Sequence, residues 1–398
     1  MYGSKRVWRS LAILAVFGLI AAGCGDDDDD GGSQASGDGE GSIWVLLPDT
    51  ASSDRWEKDD RRFFADAFEE AGLSEDEDFH IVNAEGDAST QQSQAEQAIA
   101  DGASVIVLTS LDTGSGATII DQAKDAGVKV VEYDRFNTGG SGGDAYVSFN
   151  NVQVGAAMAE AMEPAIDALN LAPARVVMLN GGEEDNNSFL FKQGYEATVT
   201  ERVDAGDWQL VADQFVPEWD NQEAQTLMEQ ILVDAGNDVD AVFAANDGLA
   251  NSVINAMEAA GVGPVPLSGQ DATAAGIQNV VLGKQTVSVY KPIQDEAGVA
   301  AAVALALRSG DDIEEAANNY ESPLASGGSD VSIIGIEAES GEPTDSAEGD
   351  GVVMYVALVP IGVTADNVAD TVIADGFRTI DEICTGDVAS TEFCQQNS

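Results

Sequence analysis

Positively charged side chains are scarce in this sequence, which has 17 lysines and arginines against 71 aspartates and glutamates and a net charge of −54. Nucleic-acid binding is excluded, because contacts to phosphates need lysine and arginine. An acidic surface keeps a protein soluble at a cost in self-repulsion. The strongly negative charge has two interpretations that stay open. It reflects either adaptation to a saline habitat or an acidic secreted protein whose stability does not depend on salt.

Histidine and cysteine are also rare, with one histidine and three cysteines in 398 residues. No histidine is paired with a cysteine or a serine, and the sequence has neither a GxSxG nucleophile elbow nor a phosphate-binding loop. The acidic stretches 75–78 and 234–240 lack the spacing of a calcium loop. The sequence therefore predicts no catalytic residue, no cofactor and no metal site, and His80 is interpreted as structural.

The apolar run LAILAVFGLIAAG at 11–23 follows a basic start and is too short to span a bilayer, so it is typical of a signal peptide. It ends in Ile20-Ala21-Ala22-Gly23-Cys24, which resembles a bacterial lipobox. We expect residues 1–23 to be removed, Cys24 to carry the lipid, and residues 24–41 to form a flexible acidic tether. The alternative is an ordinary cleaved signal with a chance cysteine. Either way, the folded part lies outside the cytoplasmic membrane.

The two remaining cysteines lie close together near the C-terminus, in CTGDVASTEFC. In an extracytoplasmic protein such a pair favours a disulfide between Cys384 and Cys394. Metal binding is the poorer alternative, because His80 lies far away in the sequence.

From residue 42 onward, short apolar runs alternate with helical patterns in two successive blocks, each of more than about 100 residues. This alternation predicts an α/β fold with parallel sheets, helices on both faces, and two domains with a cleft between them. Residues 310–350 break the rhythm, and we predict a surface excursion there with at most one strand, VSIIGI.

Several of the apolar runs end in clusters of carboxylate, amide or guanidinium side chains. These clusters are Asp134-Arg135, Asp185-Asn186-Asn187, Asn246-Asp247 and Gln270-Asp271. In open parallel sheets, ligands bind at the carboxyl ends of the strands. The pattern predicts a site for a small polar molecule.

The motifs in these segments resemble those of the periplasmic binding protein type I family, and in particular the D-xylose-binding group of sugar ABC-importer lipoproteins. The resemblance covers nearly all of residues 42–380 and is carried by DRWEKD at 54–59, EYDR at 132–135, GGEEDNN at 181–187, DQFVPEW at 213–219, AAND at 244–247, SGQDA at 268–272, VYKPI at 289–293 and TVIADGF at 371–377.

That resemblance implies two Rossmann-like, doubly wound lobes joined by a three-strand hinge. The crossings are expected near 149–151, 289–292 and 353–360. The N-terminal lobe would comprise 42–149 and 289–352, and the C-terminal lobe 150–288 and 353–398.

The resemblance also implies a ligand set and partners. The residues expected to bind the ligand are Arg55, Asp134, Arg135, Asp185, Asn187, Trp219, Asn246, Asp271 and Lys291. Trp56 is a further candidate for stacking on the sugar. The implied partners are a monosaccharide, with D-xylose as the first choice, and membrane permease subunits, and the protein is expected to be a monomer.

Some of these side chains have simpler interpretations. Asp134, Asp185 and Asp247 each precede a helical pattern and could be helix N-caps, which is the main interpretation for Asp247. Trp56 could be core packing, and Lys291 a surface lysine.

The chemistry of the set agrees with a neutral sugar, because each hydroxyl both donates and accepts, aspartate accepts, asparagine does both and arginine donates. A glycoside hydrolase using two aspartates is an alternative, although the accompanying arginines and asparagines would keep both acids ionised. A sugar sensor that signals to a membrane kinase would have the same site.

Overall fold

The computed structural model describes residues 41–53 and 55–397. The predicted signal peptide, the lipidation site Cys24 and the tether up to residue 40 lie outside the described residues. None of the helices within the described ranges is long and apolar enough to cross a membrane.

The first lobe alternates strands and helices in the order that the sequence predicts. Its elements are β1 (Ile43–Leu47), α1 (Arg61–Glu70), β2 (Phe79–Asn83), α2 (Ala88–Ala100), β3 (Val105–Leu108), α3 (Thr113–Asp125), β4 (Lys129–Tyr133) and β5 (Ala145–Phe149). The strands pair in parallel in the order β5-β4-β3-β1-β2. β1, β3 and β5 are buried along their whole length, because helices cover both faces of a parallel sheet.

The second lobe is built in the same way around a smaller sheet. Its elements are α4 (Asn151–Asp167), β6 (Ala174–Asn180), α5 (Asn186–Ala205), β7 (Trp208–Phe215), α6 (Asn221–Ala235), β8 (Ala241–Ala244), α7 (Asp247–Ala260), α8 (Ala274–Val281) and β9 (Ser288–Tyr290). Strands β7, β6 and β8 are parallel. The run PVPLSG at 264–269 is not a regular strand and makes only an isolated bridge between Leu267 and Val242.

The chain then returns to the first lobe and leaves it once more. The return comprises α9 (Ile293–Ser309), α10 (Ile313–Asn318), β10 (Val331–Glu337), β11 (Pro343–Thr344) and β12 (Val352–Leu358), and the last part β13 (Ile361–Val363), α11 (Ile380–Ile383) and α12 (Glu392–Asn397). β12 pairs in parallel with β5 in the larger sheet, and β13 pairs with β9. The α/β fold of two lobes and three connections is therefore confirmed.

The lobe boundary expected at 352/353 falls inside a strand. Because β12 pairs with β5 and β10 up to Leu358, residues 353–358 belong to the larger sheet, and the third crossing lies between Leu358 and Ile361. The other lobe boundaries stay a prediction.

The prediction of at most one strand within 310–350 is wrong. The segment contains α10, β10 and the short strand β11, and β10 runs antiparallel to β12 at the edge of the larger sheet. The pattern is weak because only Gly335 and Ile336 of β10 are fully buried, the latter against Tyr146 and Tyr355. Because the segment is mostly polar, its sequence gives no clear signal for the hairpin at the edge of the sheet.

The hairpin between β10 and β11 reaches the second lobe. Asn186 Nδ2 donates to the Gly341 carbonyl at 3.3 Å. Gly341 has a φ of +72°, and a Cβ there would lie 2.7 Å from the Asn186 amide. A side chain at this position of the turn would therefore force the Asn186 amide to shift.

The two C-terminal cysteines are joined as the sequence predicts. Cys384 and Cys394 form a disulfide with their Cα atoms 5.6 Å apart. The disulfide links the end of α11 to α12.

Candidate ligand-binding site

The predicted ligand residues, which come from segments far apart in the sequence, meet at a single cavity. All nine of them and Trp56 line it, together with Ser52, Ser53, Phe191 and Gln270. They come from the carboxyl ends of strands in both lobes and from the second crossing, as expected for ligands of open parallel sheets. The sequence therefore predicted which residues share a cavity, while their contacts with a ligand remain a proposal.

Arg55 anchors the first-lobe side of the cavity through three carboxyl groups. Its Nε and Nη2 donate to Asp60 at 3.0 and 2.7 Å, Nη1 donates to Asp134 at 2.9 Å, and Nη2 also donates to Glu296 at 2.9 Å. Burial opposes its charge, but the surrounding carboxylates raise the pKa of Arg55. These bonds fix the guanidinium plane before any ligand arrives.

Asp134 stands where β4 ends, in a left-handed conformation with φ of +60°. Its carboxylate accepts from Lys291 Nζ at 3.1 Å as well as from Arg55, while its carbonyl accepts from Tyr146, Ser148 and Asn187. Burial opposes its charge, but Lys291 and the two arginines lower the pKa of Asp134. The N-cap interpretation of Asp134 is wrong, because the next element is a strand.

Arg135 joins the two lobes across the cavity. Its Nε lies 3.3 Å from Asp185 of the second lobe, and its Nη1 and Nη2 donate to the Ser110 carbonyl and Ser52 Oγ. The guanidinium carbons of Arg55 and Arg135 lie 4.3 and 5.6 Å from the centre of the Trp56 ring. Trp56 therefore packs against the cations as well as lining the cavity.

The second-lobe side begins at the start of α5. Asp185 is the N-cap, accepting from the Asn187 backbone N–H at 2.9 Å, which confirms the cap interpretation, and it also lines the cavity. Burial raises the pKa of Asp185, although Arg135 opposes the shift. Asn187 Nδ2 donates to the Asp134 carbonyl at 2.9 Å and its Oδ1 accepts from Asn151 at 2.7 Å.

Trp219 is buried in a turn with φ of +54° and packs over Gly181, where a Cβ would lie 2.1 Å from the indole. The glycine is therefore required for the ring to reach the cavity. Within the described residues, the buried indole Nε1 has no hydrogen-bond partner.

The N-cap prediction for Asp247 is wrong, since Asn246 caps α7 by accepting from the Leu249 N–H at 2.9 Å. Asn246 has the extended backbone of a cap, with φ −148° and ψ 175°, whereas Asp247 is already in the helix. The Asp247 carboxylate accepts instead from Thr273, Gln285 and Ser288. It thereby holds the turn that carries Gln270 and Asp271.

Sequence reasoning missed several residues. Ser52 and Ser53 follow β1, so the rule about strand ends could have found them, and Phe191 lies one helical turn after Asn187. Gln270 belongs to a recognised cluster but was not assigned to the ligand set. Asp60 lies one helical turn after Arg55 and could have been found from local spacing, whereas Glu296 carried no signal, because only the fold brings it to Arg55.

Each cation that lines the cavity already has a carboxylate partner. Arg55 pairs with Asp60 and Asp134, Arg135 with Asp185, and Lys291 with Asp134 and Asp271, the last at 3.8 Å. An anionic ligand would find no uncompensated positive charge among these residues. The cavity is suited to an uncharged, polyhydroxylated molecule.

Glu132 supports the loop that follows Asp134. Its buried carboxylate accepts from the Asn137 N–H at 2.7 Å, from Asn137 Nδ2 at 2.8 Å and from the Gly143 N–H at 2.8 Å. Burial raises the pKa of Glu132 from its ordinary value of 4.5 to about 7, although these donors oppose the shift.

We expect Glu132 to make stability depend on pH. The folded protein keeps a proton that the unfolded chain releases above the ordinary pKa of 4.5, so its contribution to the free energy of unfolding falls as pH rises to about 7. The expected loss is about 3 kcal/mol. Urea unfolding from about pH 5 to about pH 8 should show a flatter profile for Glu132→Gln than for the unmodified protein. Parallel profiles would contradict this assignment.

Comparison with known proteins agrees with this architecture. The family model described as Periplasmic binding protein domain matches residues 44–312. The chain is 34% identical over 332 residues to the D-xylose-binding periplasmic protein of Escherichia coli (strain K12), covering 83% of this chain and 89% of that protein. It is 27% identical over 355 residues to a multiple sugar-binding periplasmic protein of Azospirillum brasilense, covering 85% and 90%.

A solved structure shares the fold. The ABC transporter solute binding protein from Clostridium phytofermentans with bound β-D-glucose superposes with a TM-score of 0.70 at 24% identity, covering 86% of this chain and 99% of that one. The chain belongs to the periplasmic binding protein family, whose members are substrate-binding proteins and not enzymes.

Proposed function

We propose that this protein binds one uncharged monosaccharide in the cavity between its lobes and delivers it to an ABC importer. The observation that carries the proposal is the charge compensation within the cavity. Each of its three cations is paired with a carboxylate, while amide and carboxylate groups remain to contact hydroxyls. The sequence relatives whose names state a sugar ligand agree with this class of ligand.

The arrangement supports binding by closure of the lobes. Arg55, Asp134 and Arg135 come from the first lobe, Asp185, Asn246 and Asp271 from the second, and Lys291 from the second crossing. A sugar bound by both groups favours the conformation in which the lobes meet, because only that conformation makes every hydrogen bond.

D-xylose is the proposed ligand, on the strength of the relative that is 34% identical. The indole of Trp219 and the ring of Phe191 offer apolar surfaces to the flat face of a sugar. D-glucose, D-galactose and L-arabinose display similar hydroxyls, so comparative titration is needed to rank them.

The same proposal covers location. A signal peptide at 1–23, a lipid on Cys24 and a tether up to residue 41 would hold a monomeric receptor at the outer face of the cytoplasmic membrane. Labelling of expressing cells with a lipid precursor tests the anchor, since Cys24→Ser should abolish incorporation.

Isothermal titration against a sugar panel tests the ligand. The chain from residue 24 onward, with Cys24 replaced by serine, is titrated with D-xylose, D-glucose, D-galactose, L-arabinose and D-glucuronate. We expect neutral sugars to bind, D-xylose most tightly, and D-glucuronate to bind at least about tenfold more weakly than D-glucose, because its carboxylate meets no free cation. Tight binding of D-glucuronate would overturn the neutral-ligand proposal, and absence of heat with every sugar would overturn sugar binding itself.

A further inference from the structure

Gln270 is a buried cavity side chain whose amide oxygen is not used by the described part of the protein. It is 4% exposed and lines the cavity next to Asp271. Its Oε1 is buried and has no hydrogen-bond partner among the described residues. By contrast, both polar atoms of the Asn187 amide are bonded to protein groups.

Backbone contacts hold Gln270 in place, while its side-chain oxygen has no hydrogen-bond partner among the described residues. The Gln270 carbonyl accepts from the Asp247 N–H at 3.0 Å, and the residue makes a parallel bridge to Val289 at the second crossing. Asp271 follows with φ of +90°, and its N–H donates to the Val289 carbonyl at 3.0 Å. The side chain of Gln270 is therefore positioned by a rigid turn and not by contacts of its own.

A buried amide oxygen without a partner is unfavourable, so a donor that enters the cavity gains by bonding it. The neighbouring acceptors and donors differ in character: Asp271 can only accept when ionised, and the side-chain Nδ2 of Asn246 can only donate. The amide of Gln270 can do both, and so matches a hydroxyl in both of its roles.

We propose that Gln270 determines specificity by bonding one particular hydroxyl of the sugar through its side-chain amide. The inference rests on the proposed function, because it names a contact made by the bound sugar. Loss of that hydroxyl from the ligand and loss of the amide from the protein should then remove the same interaction.

A double-mutant cycle between protein and ligand tests the contact. Gln270→Met keeps the length of the side chain and removes its polar atoms, and Gln230→Met on the exposed face of α6 is the matched control. Both variants and the unmodified protein are titrated with the panel sugar that binds most tightly and with its single-deoxy analogues.

We expect Gln270→Met to weaken binding of the parent sugar roughly tenfold, and Gln230→Met to leave its affinity unchanged. One deoxy analogue should bind the unmodified protein more weakly than the parent sugar does. The same analogue should bind the Gln270→Met variant with the same affinity as the parent sugar. If each deoxy analogue loses the same affinity relative to the parent sugar in both proteins, the proposed role of Gln270 is overturned. Failure of sugar binding altogether would instead appear as no heat with the unmodified protein, so the two failures are distinguishable.

The hairpin turn at 338–342 brings the first lobe against the second beside the cavity. It contacts Asn186, which lies between the cavity residues Asp185 and Asn187, and Thr113 N–H donates to the Glu184 carbonyl at 3.3 Å on the same segment. The first lobe therefore meets the start of α5 at two points beside the cavity.

The geometry assigns this turn as a stop that sets how far the lobes close. The close fit of Gly341 to Asn186 makes the approach sensitive to one side chain. Gly351 provides a matched control, because its φ of +75° is close to the +72° of Gly341 and a Cβ there would meet nothing within 4 Å. Asparagine tolerates a left-handed backbone, so substitution by asparagine isolates the steric effect.

We expect Gly341→Asn to weaken binding of the tightest panel sugar by about tenfold, and Gly351→Asn to leave it within about twofold. Adding Asn186→Ala to Gly341→Asn should recover most of the loss, because the collision is then relieved. Small-angle scattering should show a smaller sugar-induced decrease in radius of gyration for Gly341→Asn. Equal affinities for the two glycine variants would overturn the assignment, whichever sugar binds.

Discussion

Replacing Arg55 with methionine is expected to abolish measurable sugar binding and to lower the free energy of unfolding by about 3–5 kcal/mol. The reason is that Asp60, Asp134 and Glu296 all share this one guanidinium in a buried site. Without it, the carboxyl groups lose their common partner and repel one another. Asp134 would also lose one of the two cations that hold its carboxylate.

Two comparisons make the Arg55 prediction specific. Arg62→Met is the control, since Arg62 is 53% exposed and lies 3.7 Å from Asp59, so its loss should change stability by no more than about 1 kcal/mol. Arg55→Lys keeps the charge but cannot reach three carboxyl groups in one plane, so we expect intermediate stability and weak binding. Urea unfolding and calorimetric titration measure both quantities. Similar losses in the Arg55 and Arg62 variants would contradict the prediction.

Asp271→Asn is expected to weaken sugar binding by about tenfold to a hundredfold while leaving the fold intact. The Asp271 carboxylate makes no hydrogen bond within the described residues and lies 3.8 Å from Lys291, so its acceptor capacity is available to a ligand. A hydrogen bond to a charged group contributes about 1.5–3 kcal/mol, which corresponds to that range of affinity. Asparagine is the appropriate replacement because φ at this position is +90°.

Asn246→Ser provides a companion variant, since serine keeps the cap of α7 and removes the Nδ2 donor. We expect it to weaken binding as well, whereas Asn246→Ala should also lose about 1 kcal/mol of stability through the missing cap. Asp204→Ala, on an exposed face of α5, is the control for loss of an aspartate. Titration curves for Asp271→Asn and Asn246→Ser that match those of the control would remove both residues from the site.

The sequence predicted most of the fold because local signals and burial agreed. Helix α6 is an example: Asp220 caps it and Gly236 ends it in a left-handed conformation, so residues typical of helix ends mark both of its bounds. The same agreement holds for the polar clusters at strand ends, where chain topology alone brings the side chains together.

What could not be predicted depends on contacts between distant segments. Glu296 is separated from Arg55 by 241 residues, so no local pattern reveals that they pair. Asp247 carries the composition of a cap, yet a one-residue shift makes Asn246 the cap and Asp247 a buried acceptor. In the excursion, the two buried positions of β10 are too few to produce a clear alternation.

The pairing of Lys291 with two carboxylates bears on how this kind of receptor acquires new ligands. Asp134 holds the ammonium group at 3.1 Å, and Asp271 at 3.8 Å supplies the second negative charge. A single substitution that neutralises Asp271 removes this second charge, so the ammonium group keeps only the Asp134 carboxylate, which it shares with Arg55. One mutational step thus lowers the electrostatic barrier to a uronic acid, with the scaffold of both lobes unchanged.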